Sequence, residues 1–185
     1  MSTQSSIEDA VLALQKGQLI VYPTEGVYGI GCDPQNLEAI ESILALKQRS
    51  WEKGLILVAS SIEQLAPFIL PLSESDLAQL SQTWPGAVTW ILPAHPETDP
   101  FLTGNRKTLA CRVSAHPTIQ ALCQAFGGPI VSTSANVSEQ PPACTYKEAA
   151  STFPMVECIV EGGLGDLSGP TPIQVLGSSQ VLRQG

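Results

Sequence analysis

With 185 residues, 43% of them hydrophobic and 14% charged, the chain can bury about two-thirds of its extended surface in a packed core, which excludes a disordered protein. A net charge of −8 repels phosphate backbones on average and argues against tight, sequence-blind nucleic-acid binding. No apolar run approaches the ~20 residues that span a bilayer, and no basic-then-apolar leader opens the sequence, so a cytoplasmic location is expected.

Helices and strands alternate along the chain. Ser6 can cap an amphipathic helix to about Lys16, with Ile7, Val11, Leu12 and Leu14 as its apolar set and Gly17 as its stop. A buried strand follows over 19–22, closed by Pro23. Asn36 can cap a second helix carrying Leu37, Ile40, Ile43, Leu44 and Leu46 and ending near Lys47, and 55–58 reads as the next strand. A short helix is expected from Ser61. Another is expected from Ser73, where Asp76 completes a capping box.

Trp84-Pro85-Gly86 breaks the chain before a strand at 87–92, and 93–107 reads as an exposed loop. Strands at 109–113 and 129–133 flank a helix opened by His116-Pro117 and stopped at Gly127-Gly128. One helix at 146–153 and short strands near Ile159, Val175 and Val181 complete the pattern. The expectation is a single α/β domain over 1–185. Its sheet should be mostly buried, with helices on both faces and a mixed parallel and antiparallel strand order.

Several tempting motifs fail on their chemistry. Gly26, Gly29 and Gly31 are spaced the wrong way round for a dinucleotide turn, so a turn and close packing explain them as well. Gly104-Asn-Arg-Lys-Thr108 lacks the ending of a phosphate loop, and Ser132 and Ser134 lie outside a nucleophile elbow. Cysteines 32, 111, 123, 144 and 158 form no CxxC pair and no metal pattern with His95 or His116. They read as small buried residues in a reducing compartment, His95 as a surface residue and His116 as a helix cap. No metal site of the protein's own is expected.

Two segments keep a functional meaning. Six of the nine Lys and Arg residues cluster in two windows, Lys47, Arg49 and Lys53, then Arg106, Lys107 and Arg112. They mark either a local anion pocket or solvated loops, and Lys47 and Arg49 could simply complement a helix C-terminus. Ser132-Thr-Ser134-Ala-Asn136 falls just past a strand end, where open α/β sheets hold ligands. Its hydroxyl and amide groups suit phosphate or ribose oxygens, or an ordinary polar turn.

Several segments follow one another in order: Tyr22-Pro-Thr24-Glu25-Gly-Val-Tyr28-Gly-Ile-Gly-Cys-Asp33, Leu46-Lys47-Gln-Arg49 through Lys53-Gly-Leu-Ile-Leu, and Trp84-Pro-Gly-Ala-Val-Thr. Leu109-Ala-Cys-Arg112-Val, His116-Pro117, Ser132-Thr-Ser-Ala-Asn136 and Leu182-Arg183-Gln-Gly185 continue the order. Together they resemble the motifs of the L-threonylcarbamoyladenylate synthases in their stand-alone form. The resemblance implies a twisted sheet around a large, positively lined cavity. It implies condensation of L-threonine, bicarbonate and ATP, with Mg2+, to threonylcarbamoyl-AMP and pyrophosphate. Partner transferases would then modify adenosine 37 of tRNAs reading codons that start with A.

The family's tetrad falls on Lys47, Arg49, Ser134 and Asn136, with Lys47 and Arg49 implied to be catalytic. Thr24 and Arg112 fall on the threonine and carbamate side. Thr108, Cys144 and Arg183 join the tetrad on the ATP side. This chain departs from the pattern at Ser50, at Val137-Ser138-Glu139 and at Thr171-Pro172. The rivals are an RNA-binding or ribosome-maturation factor, disfavoured by the charge, and a carbamoyl-phosphate enzyme, whose relatives are far longer.

Arg112 poses a question of its own. Its strand is apolar, so its guanidinium must reach solvent, pair with an internal carboxylate or face a cavity that receives an anion. No Asp or Glu lies between Asp99 and Glu139. The resemblance selects the cavity.

Overall fold

The computed structural model describes residues 5–184, so the first four residues and Gly185, the last residue of the C-terminal motif, lie outside it. Among the described residues six α-helices and nine strands follow in the order α1 (Ile7–Gln15), β1 (Ile20–Pro23), β2 (Tyr28–Gly31), α2 (Leu37–Leu46), β3 (Ile56–Ala59), α3 (Glu74–Leu80), β4 (Thr89–Pro93), α4 (Pro100–Thr103), β5 (Thr108–Val113), α5 (Pro117–Phe126), β6 (Ile130–Ser134), α6 (Tyr146–Thr152), β7 (Cys158–Ile159), β8 (Ile173–Val175) and β9 (Val181–Arg183). The strands form one sheet in the order β7-β1-β2-β6-β3-β5-β4-β8-β9. Only β1–β7, β3–β5 and β4–β8 are parallel, so the mixed order is as the sequence suggests.

The caps follow the local chemistry. Ser6 and Asp9 form a capping box on α1, and Ser73 and Asp76 form one on α3. Asn36 Oδ1 accepts from Ala39 N at 3.0 Å to start α2.

Strand alternation sorts the sheet into two faces. On one, Val21, Ile30, Leu57, Ala59, Trp90, Leu92, Leu109, Cys111, Val113 and Val131 pack with Ile40 and Ile43 of α2, Leu80 of α3 and Ala149 of α6. On the other, Ile20, Tyr22, Val58 and Ile130 pack with Ala10, Ala13 and Leu14 of α1 and Ile119, Leu122 and Cys123 of α5. Helices therefore cover both faces, but α1 and α5 cover only part of the second.

Several local expectations are corrected. α1 turns Ala10, Ala13 and Leu14 inward, while Leu12 is 53% exposed, because the inward stripe runs through the alanines. The helix expected from Ser61 is only a 3-10 turn at Glu63–Leu65. The loop at 93–107 contains α4, started by Asp99, whose Oδ1 accepts from Phe101 N at 2.8 Å. β2 carries no strand signal in the sequence, since two of its four residues are glycine. Those glycines leave room for neighbours: a Cβ on Gly31 would lie 2.2 Å from the Val131 carbonyl oxygen and 3.0 Å from the Tyr22 ring. Four of the five cysteines are buried as expected, but Cys144 is exposed. His116 sits at the start of α5 without a side-chain capping bond, and its Nε2 meets Gly163 O at 3.0 Å instead.

Candidate active site

The part of the second face that α1 and α5 leave open is a cleft. Its floor alternates along the strands with Gly29, Ile56, Arg112, Ser132 and Ser134, and Thr24, Arg49, Thr171 and Arg183 rim it. The cleft holds about 100 Å³ and shares Arg49, Leu55, Ile56 and Arg183 with a hollow of about 340 Å³. Thr108, Ala110 and Ile91 continue the same face into that hollow, beside Lys53 and Arg106. No Asp or Glu lines either space among the described residues.

Arg49 reaches the cleft because of how α2 ends. Gln48 takes φ +50 in the left-handed region, with Gln48 N donating to Ala45 O at 3.0 Å and Arg49 N to Leu44 O at 2.9 Å. This reversal separates Lys47 from Arg49. Arg49 Nη2 donates to Gly54 O at 3.0 Å, while its buried Nε has no partner.

Lys47 goes elsewhere. It is only 2% exposed, and Nζ donates to Ser134 O, to Asn136 O at 2.6 Å and to Asn136 Oδ1 at 3.2 Å. Its own carbonyl accepts from Ser138 N at 2.9 Å. With three ammonium donors and three acceptors, Lys47 staples the 134–138 turn to the end of α2. It does not line the cleft, and its bonds go to that turn rather than to the last carbonyls of the helix. Burial, and secondarily the positive Arg49, push its pKa down to about 8.

The other expected residues divide similarly. Ser134 lines the cleft and donates to Asn136 Oδ1 at 2.6 Å. Asn136 Nδ2 donates to Gln140 O at 2.7 Å, so this side chain organises its own turn and does not line the cleft. Thr24 lines it, with Oγ1 donating to Val27 O at 2.7 Å. Thr108 and Arg183 line the adjoining hollow. Cys144 lines neither space; its backbone N donates to Glu148 Oε2 at 2.8 Å.

Arg112 resolves its question in two ways at once. Only 4% exposed, it still lines the cleft, and it is also paired internally. Nε donates to Glu25 Oε1 at 3.2 Å, and Nη1 donates to Thr89 Oγ1 at 3.2 Å and Thr171 Oγ1 at 3.1 Å. Glu25 is the distant carboxylate that sequence reasoning left unassigned. It lies in the first motif, next to Thr24. Thr171, where the chain departs from the family pattern, sits between two arginines. Its carbonyl accepts from Arg183 Nε at 2.9 Å and Nη2 at 2.6 Å. Burial, and repulsion from Arg112 and Arg49, lower the pKa of Arg183. Three guanidinium groups thus bear on a space with no lining carboxylate, which suits a polyanion.

The fold and cleft define a single-sheet α/β protein with an arginine-lined cleft. The family model Sua5/YciO/YrdC, described as telomere recombination, matches residues 12–185, and the chain belongs to this family. It is 48% identical over 183 residues to the threonylcarbamoyl-AMP synthase of Photobacterium profundum, covering 97% of this chain and 99% of that one. Among solved structures it is similar to Sua5 of P. abyssi complexed with L-threonine, with TM-score 0.88 and 29% identity. That match covers 96% of this chain, which spans 53% of the P. abyssi protein. E. coli YciO is similar with TM-score 0.83 and 27% identity, covering 97% of this chain and 88% of that one.

Proposed function

We propose that residues 1–185 form one catalytic domain that makes threonylcarbamoyl-AMP from L-threonine, bicarbonate and ATP. The observation that carries this reading is the convergence of Arg49, Arg112 and Arg183 on a cleft that Thr24 and Thr171 also line. The 48% identity to a threonylcarbamoyl-AMP synthase supports it over nearly the whole chain.

The chemistry asks for positioning and charge neutralisation more than for proton transfer. The threonine amine attacks the carbon of bicarbonate, and water leaves, giving a carbamate anion. A carbamate oxygen attacks the α-phosphorus of ATP, the bond to the bridging oxygen breaks, and pyrophosphate departs. This is a nucleotidyl transfer. Arg49 and Arg183 would neutralise the phosphates, with Thr108 and Ser134 binding nucleotide oxygens. Arg112 and Thr171 would bind the amino-acid carboxylate or carbamate, and Thr24 would shape that end.

Among the described residues no group of His, Cys, Asp or Glu could hold a metal ion, and the cleft offers no carboxylate ligand. Magnesium would enter with the nucleotide, as MgATP. No helix of the described residues is long and apolar enough to cross a membrane. On this reading the enzyme works in the cytoplasm and hands its product to transferases that modify adenosine 37 of tRNA. With a net charge of −8 it binds RNA weakly or not at all.

Pyrophosphate release is the test. It is expected only with ATP, threonine and bicarbonate together; equal release without threonine or bicarbonate would reduce the protein to a nonspecific ATPase.

A further inference from the structure

Glu25 is 7% exposed and does not line the cleft, yet it is the one acid paired with a cleft arginine among the described residues. Its Oε1 accepts from Arg112 Nε at 3.2 Å and from Ser114 Oγ at 2.6 Å, while its buried Oε2 has no partner. Its backbone is held as firmly. Leu167 N donates to Glu25 O at 3.0 Å, and Gly165 N to Thr24 O at 3.0 Å. Gly26 fits beneath the same segment only because it has no side chain, since a Cβ there would lie 2.0 Å from Gly169 O.

A buried carboxylate with one unsatisfied oxygen is a poor device for stability alone. Its geometric consequence for Arg112 is specific. Glu25 takes Nε, and Thr89 and Thr171 take Nη1, so the guanidinium plane is fixed from two sides and its Nη2 edge is left for a ligand. Its electrostatic consequence is equally specific. Glu25 cancels the charge of Arg112 but not that of Arg49 or Arg183, whose side chains have no carboxylate partner among the described residues. One end of the cleft is left near neutral and the other positive. A singly charged carboxylate suits the first end and a polyphosphate suits the second.

We propose that Glu25 is a positioning residue that aims Arg112 at the amino-acid carboxylate and keeps phosphates away from that end, so that it governs threonine binding and the orientation of the two substrates. The inference rests on the functional reading above. Glu25 acts through Arg112 and touches no reacting atom.

Glu25→Gln keeps the shape and removes the charge. Ser114→Ala keeps the charge and removes the bond that holds it. Calorimetric titration of each folded variant with L-threonine and, separately, with ATP is the test, with melting temperature as a control. Glu25→Gln should weaken threonine binding ~10-fold or more and leave ATP affinity within about threefold; Ser114→Ala should shift threonine affinity the same way by less. Unchanged threonine affinity in Glu25→Gln, or equal losses for both ligands, would overturn the inference. If Glu25→Gln fails to fold, unchanged threonine affinity in Ser114→Ala overturns it instead. Wild-type protein that binds no threonine overturns the functional reading and this inference with it, whereas wild-type binding matched by Glu25→Gln overturns this inference alone.

Discussion

Ile130 and Ser132 stand two residues apart on β6 and point to the same side of the sheet, yet one meets α1 and α5 and the other meets the cleft. The same division holds on β3 between Val58, which packs in the α1–α5 cluster, and Ile56, which borders the cleft. Where the two helices lie, Ile20, Tyr22, Val58 and Ile130 meet them and the face is closed. Beyond their reach the face carries Gly29, Ala110, Arg112, Ser132 and Ser134 beside Ile56 and Ile91, and takes a ligand-sized space instead of a helix. The function thus lives in the incompleteness of one layer. The comparison predicts that substitutions on the covered part act on stability and those on the open part act on turnover.

The sharpest break of that rule would come from Ile130, fully buried under α1 and α5. Ile130→Ala should cost about 2–5 kcal/mol of unfolding free energy through lost burial and the cavity left behind. Urea unfolding measures it. The fraction that stays folded should release pyrophosphate at the wild-type rate, because Ser132 and Ser134 keep their strand. A variant of full stability with impaired turnover would refute the division.

Arg49→Ala is the mirror case on the open part. It removes a charge bordering the cleft and one side-chain bond to Gly54, so turnover should fall by ~10²-fold while the melting temperature moves little. Lys47→Met should differ from it. Losing the ammonium leaves the Asn136 carbonyl without a donor and takes one of two donors from Ser134 O and Asn136 Oδ1, so stability and turnover should fall together. Thermal melts beside steady-state rates separate the two. Matching behaviour would mean that Lys47 and Arg49 serve the same ligand directly.

That contrast also marks how far the sequence could be read. Caps at Ser6, Asn36 and Ser73, the apolar strands and the mixed sheet were legible, because each depends on residues close together in the chain. The glycines of β2 hid a strand, because what they accommodate, the Tyr22 ring and the Val131 carbonyl, comes from other strands. Lys47 and Arg49 looked equivalent two residues apart, and only the left-handed Gln48 between them sends one to the 134–138 turn and the other to the cleft. The Glu25–Arg112 pair spans 87 residues, and no local pattern announces such a partner.

A pH profile should sharpen the role of Lys47. Burial and the neighbouring Arg49 lower its pKa from 10.5 to about 8, so the folded state disfavours the charged form. Between about pH 8 and 10.5 the unfolded chain holds a proton that the folded one has lost, and this group's contribution to stability therefore rises with pH. The turn responds the other way. A neutral amine has two N–H donors for three acceptors, so one tether on Ser134 or Asn136 is lost. Turnover should decline as pH passes about 8 while Lys47 makes no loss of stability over that range. Parallel rate and melting profiles from pH 7 to about 10 check this, and a flat rate profile would remove Lys47 from control of the turn.

The smallest effect is expected at Cys144, and it tests the boundary of the open part. The resemblance places this residue on the ATP side, but its thiol is exposed, lines neither the cleft nor the adjoining hollow, and sits 3.6 Å from the Pro142 carbonyl oxygen. Its backbone N–H donates to Glu148 Oε2, and that bond is indifferent to the side chain. Cys144→Ser keeps the side chain's shape while exchanging the thiol for a hydroxyl, and should leave the KM for ATP within about twofold, a change too small to count as a lost contact. A rise of tenfold or more, with threonine KM unchanged, would mean that the 142–148 segment moves onto the bound nucleotide. The open part of the face would then be completed by a ligand-induced contact, and the comparison with the helix-covered part would have to include that segment as a cover of its own.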